Sequence, residues 1–173
     1  MTQHAAQLRR RPRPSGTVAP KQDLAPKFTV QPEELLAVAG ELPPLFVRYG
    51  REINKAPADP DWEGLLRMTA VGMLKLVTAR FDGALVGFAF SNIGRHIMYK
   101  STPHGITFAV WLDPAYRTGW NGYRLLRFNR DFLHEIGCKR LCLSTESSNP
   151  RLGKVYERLG YKFDELSYAG VFP

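Results

Sequence analysis

The sequence predicts an α/β fold in which helices cover both faces of a mixed, mostly antiparallel central sheet. Two strand patterns are separated by a two-residue turn at Asp82 and Gly83, which is typical of an antiparallel hairpin. Further along, an apolar strand is followed by a long amphipathic helix and a second apolar strand, the pattern of a crossover between parallel strands. Amphipathic helices also precede the hairpin, so helical surface is available for the second face of the sheet.

Three helical patterns precede the hairpin. Proline and two acidic residues after Gln31 are typical of a helix N-terminus, and this helix is expected to run to Gly40. Residues 44–54 form a second helical pattern, and a third begins at Asp61 after a proline-containing break. Their apolar sides consist of Leu45, Phe46, Tyr49, Trp62, Leu65, Leu66 and Met68.

The strands of the hairpin are expected over residues 74–81 and 84–91, where apolar and β-branched side chains dominate. Residues 95–105 contain glycine, proline and charged side chains and are interpreted as a loop. Residues 106–112 form a third strand pattern, which Asp113 and Pro114 end.

The C-terminal part begins with a long helix over residues 121–136, which Gly137 ends. A buried strand is expected over residues 139–145, a short helix over 151–159, and one or two strands over 161–171. The apolar side of the long helix consists of Leu125, Leu126, Phe128, Phe132, Leu133 and Ile136.

Composition indicates one globular domain with a basic extension. The chain has 173 residues and 44% hydrophobic content, enough for a single core, which is expected to span residues 28–173. Residues 1–27 carry five of the eight net positive charges and few large apolar side chains, so this arm is expected to be flexible on its own. It is either a solubilising tail or an arm that docks onto an acidic surface through clustered arginines. Those arginines are Arg9, Arg10, Arg11 and Arg13.

Membrane insertion, disulfides and metal sites are not expected. No apolar run reaches the roughly 18 residues of a membrane span, and the N-terminus lacks the apolar stretch of a secretory signal, so we expect a cytoplasmic protein. Cys138 and Cys142 would lie roughly 13 Å apart on one strand, which is too far for a disulfide. With only scattered histidines besides, the spacing of metal ligands is absent.

Residues 113–122 have the composition of an anion-binding junction. The chain leaves a strand there, passes two glycines and enters its longest helix, whose first turn presents unpaired backbone N–H groups. Arg117 adds a cationic side chain and Gly119 permits close approach of the backbone. A phosphate group is the expected ligand.

Residues 110–126 resemble the fourth strand, pyrophosphate loop and third helix of the GNAT superfamily of N-acetyltransferases. Arg117 and Gly122 fall on the first and last positions of its loop pattern, Arg/Gln-x-x-Gly-x-Gly/Ala. Trp120 occupies the position of the middle glycine, and Gly119 lies one place earlier. A loop displaced in this way is similar to that of GNAT-like bacteriophage proteins.

A second stretch of the chain resembles the same family. Asn149, Tyr156, Gly160 and Tyr161 match the pattern Asn-x-x-Ala-x-x-x-Tyr-Glu-x-x-Gly-Phe in register, with Leu152 in place of the alanine. The resemblance covers roughly residues 74–172. Two patterns in the right order and spacing are far more specific than either one alone.

The resemblance implies that acetyl-CoA, as acyl donor, lies between the strand that ends at Leu112 and the strand over residues 141–145. Tyr156 would be the general acid for the departing thiolate, and an amide near Val110 or Trp111 would stabilise the oxyanion. The implied donor-binding residues are Val110, Trp111, Leu112, Arg117, Thr118, Gly119, Trp120, Asn121, Gly122, Tyr123 and Asn149.

The general base is the least defined part of this site. Transfer to an amine needs a neutral nucleophile, yet residues 106–112 contain neither an acidic residue nor a histidine. Glu146, at the end of the next predicted strand, is the first candidate, and His104 and His96 follow it.

Two functional hypotheses follow from the sequence. The first is an acetyl-CoA-dependent N-acetyltransferase that acts on an amine of a small molecule or protein. The second is a GNAT-fold accessory subunit of a larger assembly, for example a phage virion protein, with weak or lost catalysis and docked through its basic arm. In the second case the protein would reside in a virion. Nucleic-acid binding comes last, because the body of the chain shows no recognition motif.

Overall fold

The computed structural model describes residues 27–53, 56–145 and 150–164. The basic arm, Glu146 and Asn149 therefore lie outside the described residues, apart from Lys27 at the end of the arm. The elements are β1 (Phe28–Pro32), α1 (Leu35–Val38), α2 (Leu42–Ile53), α3 (Trp62–Ala70), β2 (Leu74–Phe81), β3 (Ala84–His96), β4 (Tyr99–Leu112), a 3-10 turn (Pro114–Tyr116), α4 (Asn121–Glu135), β5 (Arg140–Leu143) and α5 (Pro150–Arg158).

The sheet has the strand order β1-β2-β3-β4-β5. The first four strands are antiparallel to their neighbours, whereas β5 pairs with β4 in parallel after the crossover through α4. The predicted mixed sheet and the strand–helix–strand crossover are therefore confirmed. At the β2–β3 turn, Asp82 and Gly83 both have positive φ angles, 48° and 85°, as a two-residue turn of this type requires.

The N-terminal segment departs from the prediction, because a strand occupies the start of the helix expected from Gln31. β1 pairs with residues 77–81 of β2, and α1 is a single turn that begins at Leu35. Burial of Phe28 in the core and a hydrogen-bonded network of Arg80 with Glu33 and Glu41 favour this arrangement over the local helix pattern. The second and third helices are confirmed as α2 and α3, and Asp61 caps α3 through the amide of Gly64 at 2.8 Å.

The loop predicted over residues 95–105 was wrong. β3 and β4 form a long hairpin that turns at Ile97 and Met98 and keeps its pairing through most of that segment. Gly105 lies within the strand, where there is no room for a side chain. An added Cβ would lie 2.9 Å from Cδ2 of Leu141, so the close packing explains the glycine. A loop-like composition therefore reflects close packing here.

Helices cover both faces of the sheet, as expected. On one face, α1, α2 and α3 bury a set of large side chains; on the other, α4 buries a set of smaller ones. The first set includes Leu35, Val38, Leu42, Leu45, Phe46, Leu76, Phe88, Phe90 and Trp111. The second includes Phe28, Val77, Ala79, Val86, Ala89, Leu112 and Leu125.

The remaining expectations concern the C-terminal strands, the two cysteines, membrane spans and metal ligands. Residues 161–164 are not in a strand, and residues 165–173 lie outside the described part, so the expected final strands are not seen in the portion described. Cys138 and Cys142 are both free thiols, and Cys138 is buried. Among the described residues, no helix combines the length and apolarity of a membrane span, and no three potential metal-ligating side chains are grouped.

Candidate active site

β4 and β5 separate partway along their length and leave a gap in the sheet. Their pairing runs from His104 with Arg140 to Thr107 with Leu143, where β5 ends. β4 continues for five more residues, to Leu112. Among the described residues, only β3 pairs with this last part of β4, so its other edge is open. Open backbone groups at a strand edge are available to a ligand.

A β-bulge lies where the gap begins. Phe90 pairs with Ala109 and Ser91 pairs with Thr107, so Phe108 is an extra residue in β4. Behind the bulge, on the face covered by α4, three buried polar side chains bond to one another. Thr107 Oγ1 lies 2.9 Å from Ser91 Oγ and accepts a hydrogen bond from Asn129 Nδ2 at 2.9 Å. These bonds fix the strand at the point where the gap opens.

The loop after β4 leads directly into the first turn of α4. The side chain of Asp113 accepts a hydrogen bond from the amide of Ala115 at 3.0 Å and shapes the start of the loop. Gly119 adopts a φ of +59°, which favours glycine. Asn121 Nδ2 donates to the carbonyl of Tyr116 at 3.1 Å and closes the loop onto the helix. The N–H groups of the first helical turn then lie beside the open end of β4, as an anion site requires.

Trp120 is the residue that departs from the family loop pattern. Its side chain is 66% exposed, and its ring meets that of Tyr123 edge-on at a centroid distance of 5.5 Å. The tryptophan therefore lies over the first turn of α4 at the surface. The sequence does not tell whether a large side chain at this position would fill the loop. In the structure the Trp120 side chain points outward and leaves the loop unfilled.

The side chain of Arg117 connects the loop to α2. Its Nε donates to the carbonyl of Leu112 at 2.7 Å, and its two terminal nitrogens donate to the carboxylate of Glu52 at 2.6 and 2.7 Å. The indole N–H of Trp111 donates to the same carboxylate at 2.8 Å. The Arg117 hydrogen bonds lower the pKa of Glu52, so this carboxylate is a poor base in the structure. The sequence predicts Arg117 as a direct phosphate partner, whereas here its guanidinium holds the loop in place.

A second ion pair from α2 acts at the same place. Arg48 pairs with Asp113, and its guanidinium also lies 5.5 Å from the ring centre of Trp111. Sequence analysis missed both Arg48 and Glu52. Their spacing of four residues places them on one side of a helix, but charged helix faces are usually solvated, so that spacing alone could not assign them.

Tyr156 on α5 lies beside the end of β5. Its hydroxyl donates to the carbonyl of Ser144 at 3.1 Å, and the side chain is only 6% exposed. It packs in one cluster with Val110 and Leu126, which joins α5 to α4 and to the open half of β4. Burial, followed by the nearby Tyr161, raises the pKa of Tyr156 to about 12. The phenol therefore keeps its proton at neutral pH.

The three candidate bases differ in where they lie relative to the gap. His104 lies in the closed half of β4, four residues before Phe108, which places its backbone roughly 13 Å from the bulge. His96 is the last residue of β3 at the far end of the long hairpin. The structure thus brings neither histidine to the gap, and the first candidate, Glu146, lies outside the described residues.

A split pair of parallel strands, followed by a glycine-containing loop at a helix N-terminus, is the architecture of the acyl-CoA N-acyltransferases. The family model described as "Acetyltransferase (GNAT) family" matches residues 42–161. The chain belongs to the GNAT acetyltransferase family. No match to a curated protein sequence was found.

Solved structures show the same fold at low sequence identity. A ribosomal-protein-alanine N-acetyltransferase from Brucella melitensis biovar Abortus 2308 is 23% identical, with a TM-score of 0.68 over 85% of this chain and 99% of that one. An aminoglycoside acetyltransferase from an uncultured soil metagenomic sample is 12% identical, with a TM-score of 0.68 over 84% and 95%. Glucosamine-6-phosphate N-acetyltransferase from Arabidopsis thaliana is 14% identical, with a TM-score of 0.66 over 85% and 99%.

Proposed function

We propose that the chain is an acetyl-CoA-dependent N-acetyltransferase that transfers an acetyl group to an amine of a small molecule or protein. The observation that carries this proposal is the buried hydroxyl of Tyr156, held at the end of β5 beside the gap in the sheet. A proton donor at this place serves a thiolate that leaves from between the strands.

The donor would lie along the open half of β4. Its pyrophosphate would meet the backbone amides of residues 118–123, in the loop and first helical turn that the Arg117 and Glu52 pair holds in place. Its pantetheine arm would extend through the gap beside Val110 and Leu112, and Asn149 would bond to it. The helix dipole favours the anionic pyrophosphate at this end of α4.

The reaction would proceed through a tetrahedral intermediate. The neutral amine attacks the thioester carbonyl, and a backbone amide near Val110 or Trp111 stabilises the oxyanion. The carbon–sulfur bond then breaks, and the O–H of Tyr156 gives its proton to the sulfur, which yields the N-acetyl product and CoA. The nitrogen loses its proton to a base, for which Glu146 remains our candidate, directly or through water.

The substitution Tyr156→Phe tests this proposal. It keeps the buried ring and removes only the proton donor, so acetyl-CoA should bind normally while kcat falls about a hundredfold. Isothermal titration measures the binding. CoA release is followed chromatographically with a panel of amines, namely an aminoglycoside, glucosamine 6-phosphate and a peptide with N-terminal alanine. Because the pKa of Tyr156 is raised to about 12, the acid should stay protonated and the rate should hold through pH 10.

Tyr161→Phe is the matched control. Tyr161 is a partly buried tyrosine whose ring centre lies 6.2 Å from that of Tyr156, and its pKa is also raised to about 12 by burial. Its loss should leave kcat near the wild-type value. Absence of acetyl-CoA binding by the wild-type protein at high micromolar concentration would refute the proposal, and an active Tyr156→Phe variant would remove Tyr156 from the acid role.

A further inference from the structure

The face of the sheet opposite α4 carries an apolar patch beside the gap. Thr107 bonds to Asn129 of α4, so its neighbour Ile106 points to the other face. Phe108, the extra residue of the bulge, packs against Phe90 on that same face. Ile106 is 48% exposed and Phe108 50% exposed, whereas Phe90, whose ring centre lies 6.2 Å from that of Phe108, is buried. The helices that cover Phe90 thus leave the next part of the same face open.

A polar atom without a partner lies at the edge of this patch. Asn92 is directly opposite Ile106 in the β3–β4 pairing and lies on the same face, because its neighbour Ser91 bonds to Asn129 on the other. Its Oδ1 is buried and has no hydrogen-bond partner in the part of the chain that the structure describes. A buried oxygen left unpaired is unfavourable, and a ligand with an N–H or O–H group would satisfy it.

The position of the patch identifies its ligand. The phosphate-binding turn of α4 and the hydroxyl of Tyr156 belong to one face of the sheet, together with Val110. If acetyl-CoA enters from that face, the amine must reach the thioester through the gap from the opposite face, where Ile106 and Phe108 lie. This step rests on the proposed function, because it takes the gap as the donor site.

Charge around the patch restricts the class of amine further. The segment from β3 through β4, residues 84–112, contains no acidic residue, and neither does β5. A substrate with several ammonium groups would therefore find no carboxylate on the three strands that form the patch.

We propose that the acceptor is a monoamine with an apolar or aromatic body that lies on Ile106 and Phe108, and with a second N–H or O–H group that donates to Oδ1 of Asn92. The open side chains give the body a surface to cover. The unpaired oxygen makes the site discriminate strongly, because a substrate that lacks the donor leaves the oxygen buried without a partner.

Three amines test the proposal with acetyl-CoA as donor: L-phenylalaninamide, phenethylamine and kanamycin. L-Phenylalaninamide has the aromatic body and an amide donor, phenethylamine lacks the amide, and kanamycin carries several ammonium groups. We expect kcat/KM for L-phenylalaninamide to exceed that for phenethylamine by about tenfold or more, and that for kanamycin by a larger factor. Chromatographic quantification of CoA and of the acetylated amine gives these ratios.

The variant Asn92→Leu should reduce the preference for L-phenylalaninamide over phenethylamine to within about twofold, without changing the affinity for acetyl-CoA. Asn92→Asp, which keeps an oxygen at the same place and the same volume, should retain that preference and gives a second measurement if the leucine variant does not fold. For the apolar surface, Ile106→Ser should lower kcat/KM for both aromatic amines. Ile97→Ser, at the exposed turn of the same hairpin, is the matched control and should leave it unchanged.

The outcomes separate the inference from the proposed function. If acetyl-CoA does not bind, both the proposed function and the inference that rests on it are wrong. If acetyl-CoA binds but kanamycin is acetylated in preference, or if Asn92→Leu keeps the wild-type ratio of the two aromatic amines, the function stands and the inference is overturned.

Discussion

The two halves of β4 are built in opposite ways. The half before the bulge has a neighbouring strand on both sides over residues 104–107 and is fixed from within by the buried bonds of Thr107, Ser91 and Asn129. The half after the bulge has a strand on one side only, and ion pairs from α2 to Asp113 and Arg117 hold its end. Strand pairing and buried side-chain hydrogen bonds stabilise the first half, whereas ion pairs with a helix stabilise the second.

This difference shows how the fold keeps a gap open. A strand edge without a partner is free to bind another strand, and the proposed function requires that it stay free for acetyl-CoA. Here Trp111 and Leu112 are held by the side chains of Arg48, Glu52 and Arg117, without any strand hydrogen bonds on the open edge among the described residues. The closed half should therefore contribute most to stability, and the open half most to binding.

The largest loss of stability should come from the closed half. Thr107→Val keeps the shape of the side chain but leaves the amide of Asn129 and the hydroxyl of Ser91 without their shared partner. We expect a loss of about 1–3 kcal/mol in the free energy of unfolding, measured with urea. Thr102→Val makes the same change at a more exposed position of the same strand, so it is the matched control and should have little effect. Equal effects of the two substitutions would show that the buried bonds do not hold the closed half.

Sequence patterns were sufficient for the parts of the fold that depend on local chemistry. Asp82 and Gly83 specify their turn through backbone angles that few other residues adopt. The apolar spacing of α4 and the proline and aspartate after Leu112 define the crossover and the loop of the site. These features depend on near neighbours in the chain, so they can be recognised from the sequence.

The rest depends on distant parts of the chain. Gln31 begins a convincing helix pattern, yet it pairs with Thr78 of β2 in the edge of the sheet. Gly105 resembles a loop residue until Leu141 is seen packed against it. Glu52 and Arg117 are 65 residues apart, and nothing in either neighbourhood identifies the other. Asn92 likewise becomes a candidate only when its partner strand and the missing hydrogen bond are known.

A smaller effect is expected at the open half. Glu52→Gln keeps the side-chain volume but removes the charge that pairs with Arg117. Because this pair is partly exposed, the free energy of unfolding should fall by only about 0.2–1 kcal/mol. Acetyl-CoA should bind about threefold to tenfold more weakly, since the loop proposed to meet the pyrophosphate loses its support. Isothermal titration and urea unfolding give the two values.

The control for this variant is Glu63→Gln, which removes the carboxylate of an exposed ion pair with Arg67 on α3, away from the gap. It should leave the affinity for acetyl-CoA unchanged. Tighter binding by Glu52→Gln would instead mean that Arg117, once released, contacts the phosphate directly. The ion pair of Arg117 with Glu52 would then oppose binding of acetyl-CoA and would not support it.

The smallest effect should come from Trp120, although this residue departs most visibly from the family pattern. Trp120→Gly restores the glycine of that pattern, but the tryptophan side chain is at the surface and its φ of −107° suits any residue. We expect a change in unfolding free energy within about 0.5 kcal/mol and in the acetyl-CoA dissociation constant within about twofold. Gly119→Ala is the informative contrast, because a φ of +59° costs a residue with a Cβ about 1–2 kcal/mol. If Trp120→Gly binds acetyl-CoA about ten times more tightly, the tryptophan obstructs the loop, and the displaced glycine has not replaced the missing one.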